Sequence, residues 1–130
     1  MGEWEESIRQ LVHKQSYVES PFGHRRRFYL ITQENKNAIY REAINFLPQN
    51  ISANLTLHAC IRIRAAIDPR KANLCLTVHD SILSQVVETY VEEYSTICQQ
   101  VMESQASVSL GWDLPFVADL GVGTTWGSAK

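Results

Sequence analysis

Trp4, Ile8, Leu11 and Val12 recur at intervals of three and four residues, the spacing of one face of a helix. Glu3, Glu5 and Glu6 precede them, where acids complement the positive end of a helix dipole. The spacing predicts a helix over residues 3–15. Tyr17-Val18-Glu19 and Arg27-Phe28-Tyr29-Leu30-Ile31 then read as two strands around Ser20-Pro21-Phe22-Gly23, an exposed hairpin closed by turn-forming residues. A second helix is expected over residues 35–46. Pro48 breaks or kinks it by removing a donor and crowding the preceding turn, and it also suits the first turn of a third helix. That helix should run to about Ile67, with Ile51, Leu55, Ala59, Ile63, Ala66 and Ile67 as its apolar face and Asp68-Pro69 as its stop.

Leu74, Leu76 and Val78 alternate with Cys75 and Thr77, and apolar residues resume at Ile82-Leu83 and Val86-Val87. This is a strand hairpin whose tip is His79-Asp80. A carboxylate in such a run is costly to bury unless a charge pairs with it. Asp80 is therefore either a ligand for a divalent metal with oxygen preferences or, with Ser81, an ordinary turn residue making local hydrogen bonds. A fourth helix over residues 90–104 would bury Val91, Tyr94, Cys98, Val101 and Met102 and show Glu92, Glu93, Gln99 and Glu103 to water. A last strand is expected over residues 116–122. The order helix, hairpin, two helices, hairpin, helix, strand is α+β with an antiparallel sheet.

Composition keeps this picture within bounds. A chain of 130 residues that is 45% hydrophobic and 20% charged suits one globular domain with a modest core. Charges interrupt the apolar runs too often for a membrane span, and the start lacks the basic and apolar regions of a signal peptide. A cytoplasmic location is expected. Cys60, Cys75 and Cys98 are odd in number and widely spaced, so neither a disulfide framework nor a zinc site is indicated; they read as small core residues. Net charge is −2, against an indiscriminate nucleic-acid binder. The bases nevertheless cluster at Arg25-Arg26-Arg27, Arg62 with Arg64, and Arg70-Lys71.

Arg41 and Asn45 stand four apart on the second helix, a fork of donors beside an amide that both donates and accepts, and Gln49 follows. On spacing alone this is either a polar recognition face or a solvated one capped by Asn45 near a helix end. His24-Arg25-Arg26-Arg27 at a glycine-containing turn is either a phosphate contact or a solvated basic tip.

Several of these segments resemble, in order and at compatible spacing, the C-terminal region of family A DNA polymerases, those similar to bacterial DNA polymerase I. Val78-His79-Asp80 resembles the V-H-D motif, Gly23-His24-Arg25-Arg26-Arg27 the G-R-R segment, and residues 41–50 the R-x-A-x-N-x-P-x-Q-G segment; Val122-Gly123 and Trp126 match the end. The resemblance implies a partial polymerase palm of palm-type antiparallel sheet and packed helices, with residues 1–130 forming one partial domain of palm and fingers base. It implies that Asp80 holds Mg²⁺ in a two-metal site and that His79 contacts the primer-terminal backbone. Arg41, Asn45 and Gln49 would touch primer and template partly through the minor groove, whose acceptors are nearly the same for every base pair. Arg25 and Arg26 would meet phosphates or pair structurally. Implied partners are primer-template DNA, deoxynucleotide triphosphates and an N-terminal polymerase portion, in a bacterial or phage-infected cell.

Departures from the pattern are specific. The proline comes one position late, Asn50 replaces the usual glycine, Asn54 stands where an aspartate is usual, and Thr77 and Ser81 replace Gln and Glu. The D-Y-S-x-I-E-x-R motif and the nucleotide-binding helix R-x-x-x-K-x-x-x-F-x-x-x-Y-G are not found in the chain, and Asp113 and Asp119 match neither. A two-metal site needs a second carboxylate, expected upstream on a partner. The alternatives are a non-catalytic DNA-binding remnant, and a small interaction domain using Trp4 and Trp126.

Overall fold

The computed structural model describes residues 2–129. Its elements are α1 (Gly2–Gln15), β1 (Tyr17–Glu19), β2 (Arg25–Arg27), α2 (Lys36–Ala66), β3 (Ala72–Val78), β4 (Ser81–Val86) and α3 (Val91–Leu110), with single 3-10 turns at Glu88–Tyr90 and Gly127–Ala129. β1 pairs with β2 and β3 with β4, both antiparallel, as two separate two-stranded sheets. The α+β class and antiparallel pairing agree with the sequence pattern. Two compact units divide between Asn54 and Leu55.

In the first unit, Ile8 and Val12 of α1, Val18 of β1, Phe28, and Ile39 and Ala43 of α2 form the core. Trp4 and Leu11, expected on the buried face of α1, are exposed. The hairpin register sets Tyr17 opposite Arg27 and Glu19 opposite Arg25. Its turn is closed by hydrogen bonds from Ser20 N–H to His24 O (2.8 Å) and from Gly23 N–H to Ser20 O (2.9 Å). Gly23 has φ 84°, a left-handed conformation that glycine adopts without steric cost.

The second strand was expected at residues 27–31 and lies instead at Arg25–Arg27. Phe28 turns into the core, leaving Tyr29 92% and Leu30 72% exposed. Thr32 and Asn35 then bond reciprocally, Thr32 N–H to Asn35 Oδ1 at 2.7 Å and Asn35 N–H to Thr32 Oγ1 at 3.3 Å. These bonds close the turn that leads into α2 at Lys36.

The two helices expected on either side of Pro48 are one helix, with Pro48 inside it. A helix-interior proline costs about 3 kcal/mol through a lost donor and a ring clash. Burial outweighs that cost: Ile39 and Ala43 before the proline, and Ala59 and Ile63 after it, lie in hydrophobic clusters, and a fully buried aliphatic side chain is worth about 1.5–3 kcal/mol.

In the second unit, Ala59, Ile63, Ile67, Ala72, Tyr90, Tyr94, Cys98 and Val101 form the core. Of the face expected on the C-terminal half of α2, Ala66 is exposed. Cys98 is buried and Cys60 half-buried, but Cys75 is exposed, so its expected place in the core is corrected: the residue points to the open face of a two-stranded sheet. Burial raises the Cys98 and Cys60 thiols above their ordinary range. α3 extends past the expected end to Leu110, where Gly111 at φ 67° donates its N–H to the last-turn carbonyls.

The last expected strand, residues 116–122, is irregular chain. Its backbone is met by side chains of α3 instead of a ladder. Gln99 Nε2 donates to Ala118 O at 3.3 Å, and Ala118 N–H donates to Glu103 Oε1 at 3.2 Å.

Ile63 is completely buried, and Ile63→Ala is expected to destabilise the chain by about 2–5 kcal/mol in chemical denaturation. Pro48→Ala restores a donor at an exposed position and should stabilise by about 1–3 kcal/mol in the same measurement. The Asp68 carboxyl is held below the ordinary carboxylate range, first by the Arg70 backbone N–H and then by the Arg70 side chain. A depressed acid contributes stability above its unfolded value and loses it as pH falls through its folded one. The stability gap between the parent chain and Asp68→Ala should therefore be constant above about pH 5 and shrink below about pH 4.

Candidate nucleic-acid interface and metal-binding turn

β3 and β4 come together with Val78 opposite Ser81, leaving His79 and Asp80 as a two-residue connection. Such connections favour positive φ because their twist then matches that of the strands. His79 supplies it at φ 56°, a conformation costing a side-chain-bearing residue roughly 1–2 kcal/mol, although histidine tolerates it better than most. Ser81 Oγ donates to Val78 O at 2.8 Å across the turn, and a register shift between Leu74 and Leu76 bends the strand leading into it. The sequence pattern placed this tip correctly.

His79 and Asp80 are both exposed. Among the described residues the Asp80 carboxylate has no salt bridge, so its oxygens are open to a cation. The donor set is one hard carboxylate, which suits a hard divalent ion as one ligand. Among the described residues no group of three His, Cys, Asp or Glu side chains converges to hold a metal. The turn thus fits an Mg²⁺ ligand but not a complete site.

In the first unit, Arg41, Asn45 and Gln49 lie on successive turns of α2, and all three are exposed. At about 1.5 Å per residue they rise roughly 6 Å per step along one side of the helix. Arg41 Nε donates to Asn37 O at 3.4 Å, which aligns the guanidinium with the helix. Asn45 is an interior residue of α2 rather than a cap, because the helix continues to Ala66.

The arginine hairpin belongs to the same unit. Arg25 forms an ion pair with Glu19 and lies over the Tyr17 ring at 4.7 Å; its hydrogen bond to Glu19 raises the guanidinium further above its ordinary value. Arg26 pairs with Glu42 of α2, its Nε donating to Oε1 at 2.7 Å, and lies 5.7 Å from the Phe28 ring. Exposed pairs of this kind hold only about 0–1 kcal/mol each, so either guanidinium can be drawn off by a phosphate. Arg27 is exposed and has no carboxylate partner among the described residues.

One group escaped the sequence reading. His24 Nδ1 meets Asn50 Nδ2 and Asn54 Nδ2, each at 3.2 Å, and Asn54 Nδ2 also donates to Asn50 O at 2.8 Å. Asn54 is buried. The available signal was that both asparagines depart from the resembled motif. Their i, i+4 spacing shows that they share a helix face, but nothing in the sequence pointed to the histidine.

No helix among the described residues is long and apolar enough to cross a membrane. The family model for DNA polymerase family A matches residues 1–128. The chain is 30% identical over 130 residues to the thermostable DNA polymerase I of Thermus filiformis, covering 98% of this chain and 15% of that one. It is 31% identical over 134 residues to DNA polymerase I of Pseudomonas aeruginosa, covering 95% and 14%. The fold is similar to the POL domain of Pol1 from M. smegmatis, solved in complex with DNA primer-template and dNTP, with a TM-score of 0.85 at 22% identity over 98% of this chain and 23% of that one. The chain therefore spans only about 15% of the length of such relatives, and over that span it belongs to DNA polymerase family A.

Proposed function

We propose that this chain supplies the C-terminal palm and fingers-base portion of a DNA-directed DNA polymerase, as one partial domain working with an N-terminal polymerase portion. The observation that carries the reading is Asp80, a carboxylate without a salt bridge among the described residues, on a two-residue turn in a chain of this family. Asp80 would hold Mg²⁺ together with an upstream carboxylate. The chemistry Mg²⁺ supplies when bound is activation of the primer 3′-hydroxyl and neutralisation of charge on the leaving pyrophosphate. His79, fixed in the left-handed region, contacts the primer-terminal backbone and holds the terminus in place for a deoxynucleotide triphosphate. Arg41, Asn45 and Gln49 test pair geometry along the minor groove, where polar contacts do not depend on base identity. Arg25 and Arg26 exchange their carboxylate partners for phosphates. Such work belongs where the DNA is, in the cytoplasm of a bacterial or phage-infected cell.

Ser81 in place of an acid lowers the negative potential at the turn, and its hydroxyl is engaged with Val78 O. Metal affinity is expected to be weaker than with a second acid. Thr77 gives up the reach of the usual glutamine and with it one backbone or groove contact.

The decisive experiment mixes the chain with an N-terminal portion carrying the D-Y-S-type motif and the nucleotide helix, then measures primer extension. Extension should appear with the parent chain and fall by about 10³-fold or more with Asp80→Ala, since metal stabilisation is worth several kcal/mol. Undiminished extension by Asp80→Ala would remove the metal assignment. The single-carboxylate turn also favours a second reading, a non-catalytic DNA-binding remnant; in that case primer-template binding survives Asp80→Ala and ignores Mg²⁺. His79→Gly should separate stability from function. It relieves the left-handed strain and stabilises the chain by roughly 1 kcal/mol, while extension in the mixture drops.

A further inference from the structure

The tip of the arginine hairpin is fastened to α2 at two places. One is the exposed Arg26–Glu42 ion pair. The other is His24, whose Nδ1 faces amide donors from Asn50 and Asn54. Amide N–H groups only donate, so Nδ1 must carry the lone pair and the ring proton must sit on Nε2. A proton on Nδ1 would set three donors against one another. Asn54 is buried, and its Nδ2 donates to Asn50 O at 2.8 Å and also meets Asn50 Oδ1 at 3.2 Å, so both amides are oriented with Nδ2 toward the ring. Glycine at position 50 has no side chain to donate. Aspartate at position 54 would accept rather than donate and would draw a proton onto Nδ1. The two departures from the resembled motif therefore converge on one ring atom and make the same demand of it.

The placement of this contact matters for the residues beside it. At 100° per residue, Glu42, Asn50 and Asn54 occupy one side of α2, and Arg41, Asn45 and Gln49 lie roughly a third of a turn away. A hairpin pinned through Asn50 and Asn54 sets Arg25, Arg26 and Arg27 alongside that polar row, whether or not Arg26 keeps its weakly held pair with Glu42.

We propose that His24 is a positioning residue: as a neutral Nε2–H imidazole accepting from Asn50 and Asn54, it locks the arginine hairpin to α2 so that the arginines and the Arg41–Asn45–Gln49 row form one continuous surface for a nucleic-acid duplex. The duplex part of this inference rests on the polymerase reading; the latch itself does not. Nucleic-acid affinity then depends on a residue that contributes no charge of its own.

Two measurements on the full chain test it. In histidine ¹⁵N–¹H long-range correlation spectra at neutral pH, His24, assigned by its loss in His24→Asn, should show the Nε2–H tautomer. An Nδ1–H tautomer or an imidazolium there overturns the latch, and this readout needs no destabilising variant. Primer-template binding should then be titrated with salt for the parent chain, His24→Leu and His24→Asn. Loss of the latch in His24→Leu should weaken binding about five- to tenfold and shallow the log–log salt slope by about one, as a misplaced arginine drops its phosphate. His24→Asn keeps an acceptor where Nδ1 was and should bind within about twofold of the parent with an unchanged slope. Parental binding and slope in His24→Leu, or equal weakness in both variants, overturns the positioning role. A parent chain that does not bind primer-template at low salt counts against the polymerase reading, and the tautomer alone then decides the latch.

Discussion

Burial along α2 is the constraint on which the rest depends. The helix carries Ile39 and Ala43 into one hydrophobic cluster and Ala59 and Ile63 into another, and it does so through a proline. A penalty of about 3 kcal/mol is offset by burial of Ile39 and Ile63, at about 1.5–3 kcal/mol each, with Ala43 and Ala59 adding less. Because the helix remains continuous, Arg41, Asn45 and Gln49 stay in one row. A break at Pro48 would have placed Gln49 on a separate helix, with its own direction.

The polar groups around the candidate interface work on different energy scales. The Arg25–Glu19 and Arg26–Glu42 pairs are exposed and weakly held, which suits groups that must exchange one anion for another. The His24–Asn50–Asn54 contact includes a buried amide that also donates to Asn50 O and Asn50 Oδ1, and a neutral hydrogen bond to it is worth about 0.5–1.5 kcal/mol. The hairpin is thus anchored by neutral hydrogen bonds while its charges remain available. At the other candidate site, the His79 turn spends conformational energy to present Asp80, and that carboxylate is left without a partner among the described residues.

Membership of family A accounts for the order of motifs, and among the described residues no group of three His, Cys, Asp or Glu side chains gathers at Asp80. The fold, similar to part of a polymerase domain, presents the Asp80 carboxylate on a two-residue turn. Each sheet among the described residues has two strands, and an isolated hairpin of that size is marginally stable on its own.

Local signals were legible wherever one short-range rule dominated. The period-two pattern of Leu74, Leu76 and Val78 set the β3–β4 hairpin and its tip, and the spacing of Ile8 and Val12 set the buried side of α1. Asp68 and Pro69 marked the end of α2. Sequence rules failed where distant partners decided: Pro48 reads as a break until the burial on both sides of it is counted, residues 116–122 read as a strand until Gln99 and Glu103 are seen to take up the backbone of Ala118, and Cys75 reads as core until its sheet is seen to have an open face. The sequence by itself determined the order of helices and hairpins, the acid at the turn and the polar row on α2, because each follows from residues within a turn or two of one another. Only the tertiary structure decided that α2 is continuous and that His24 meets Asn50 and Asn54, because hydrogen bonding and burial across some 30 residues of chain leave no periodic trace along it.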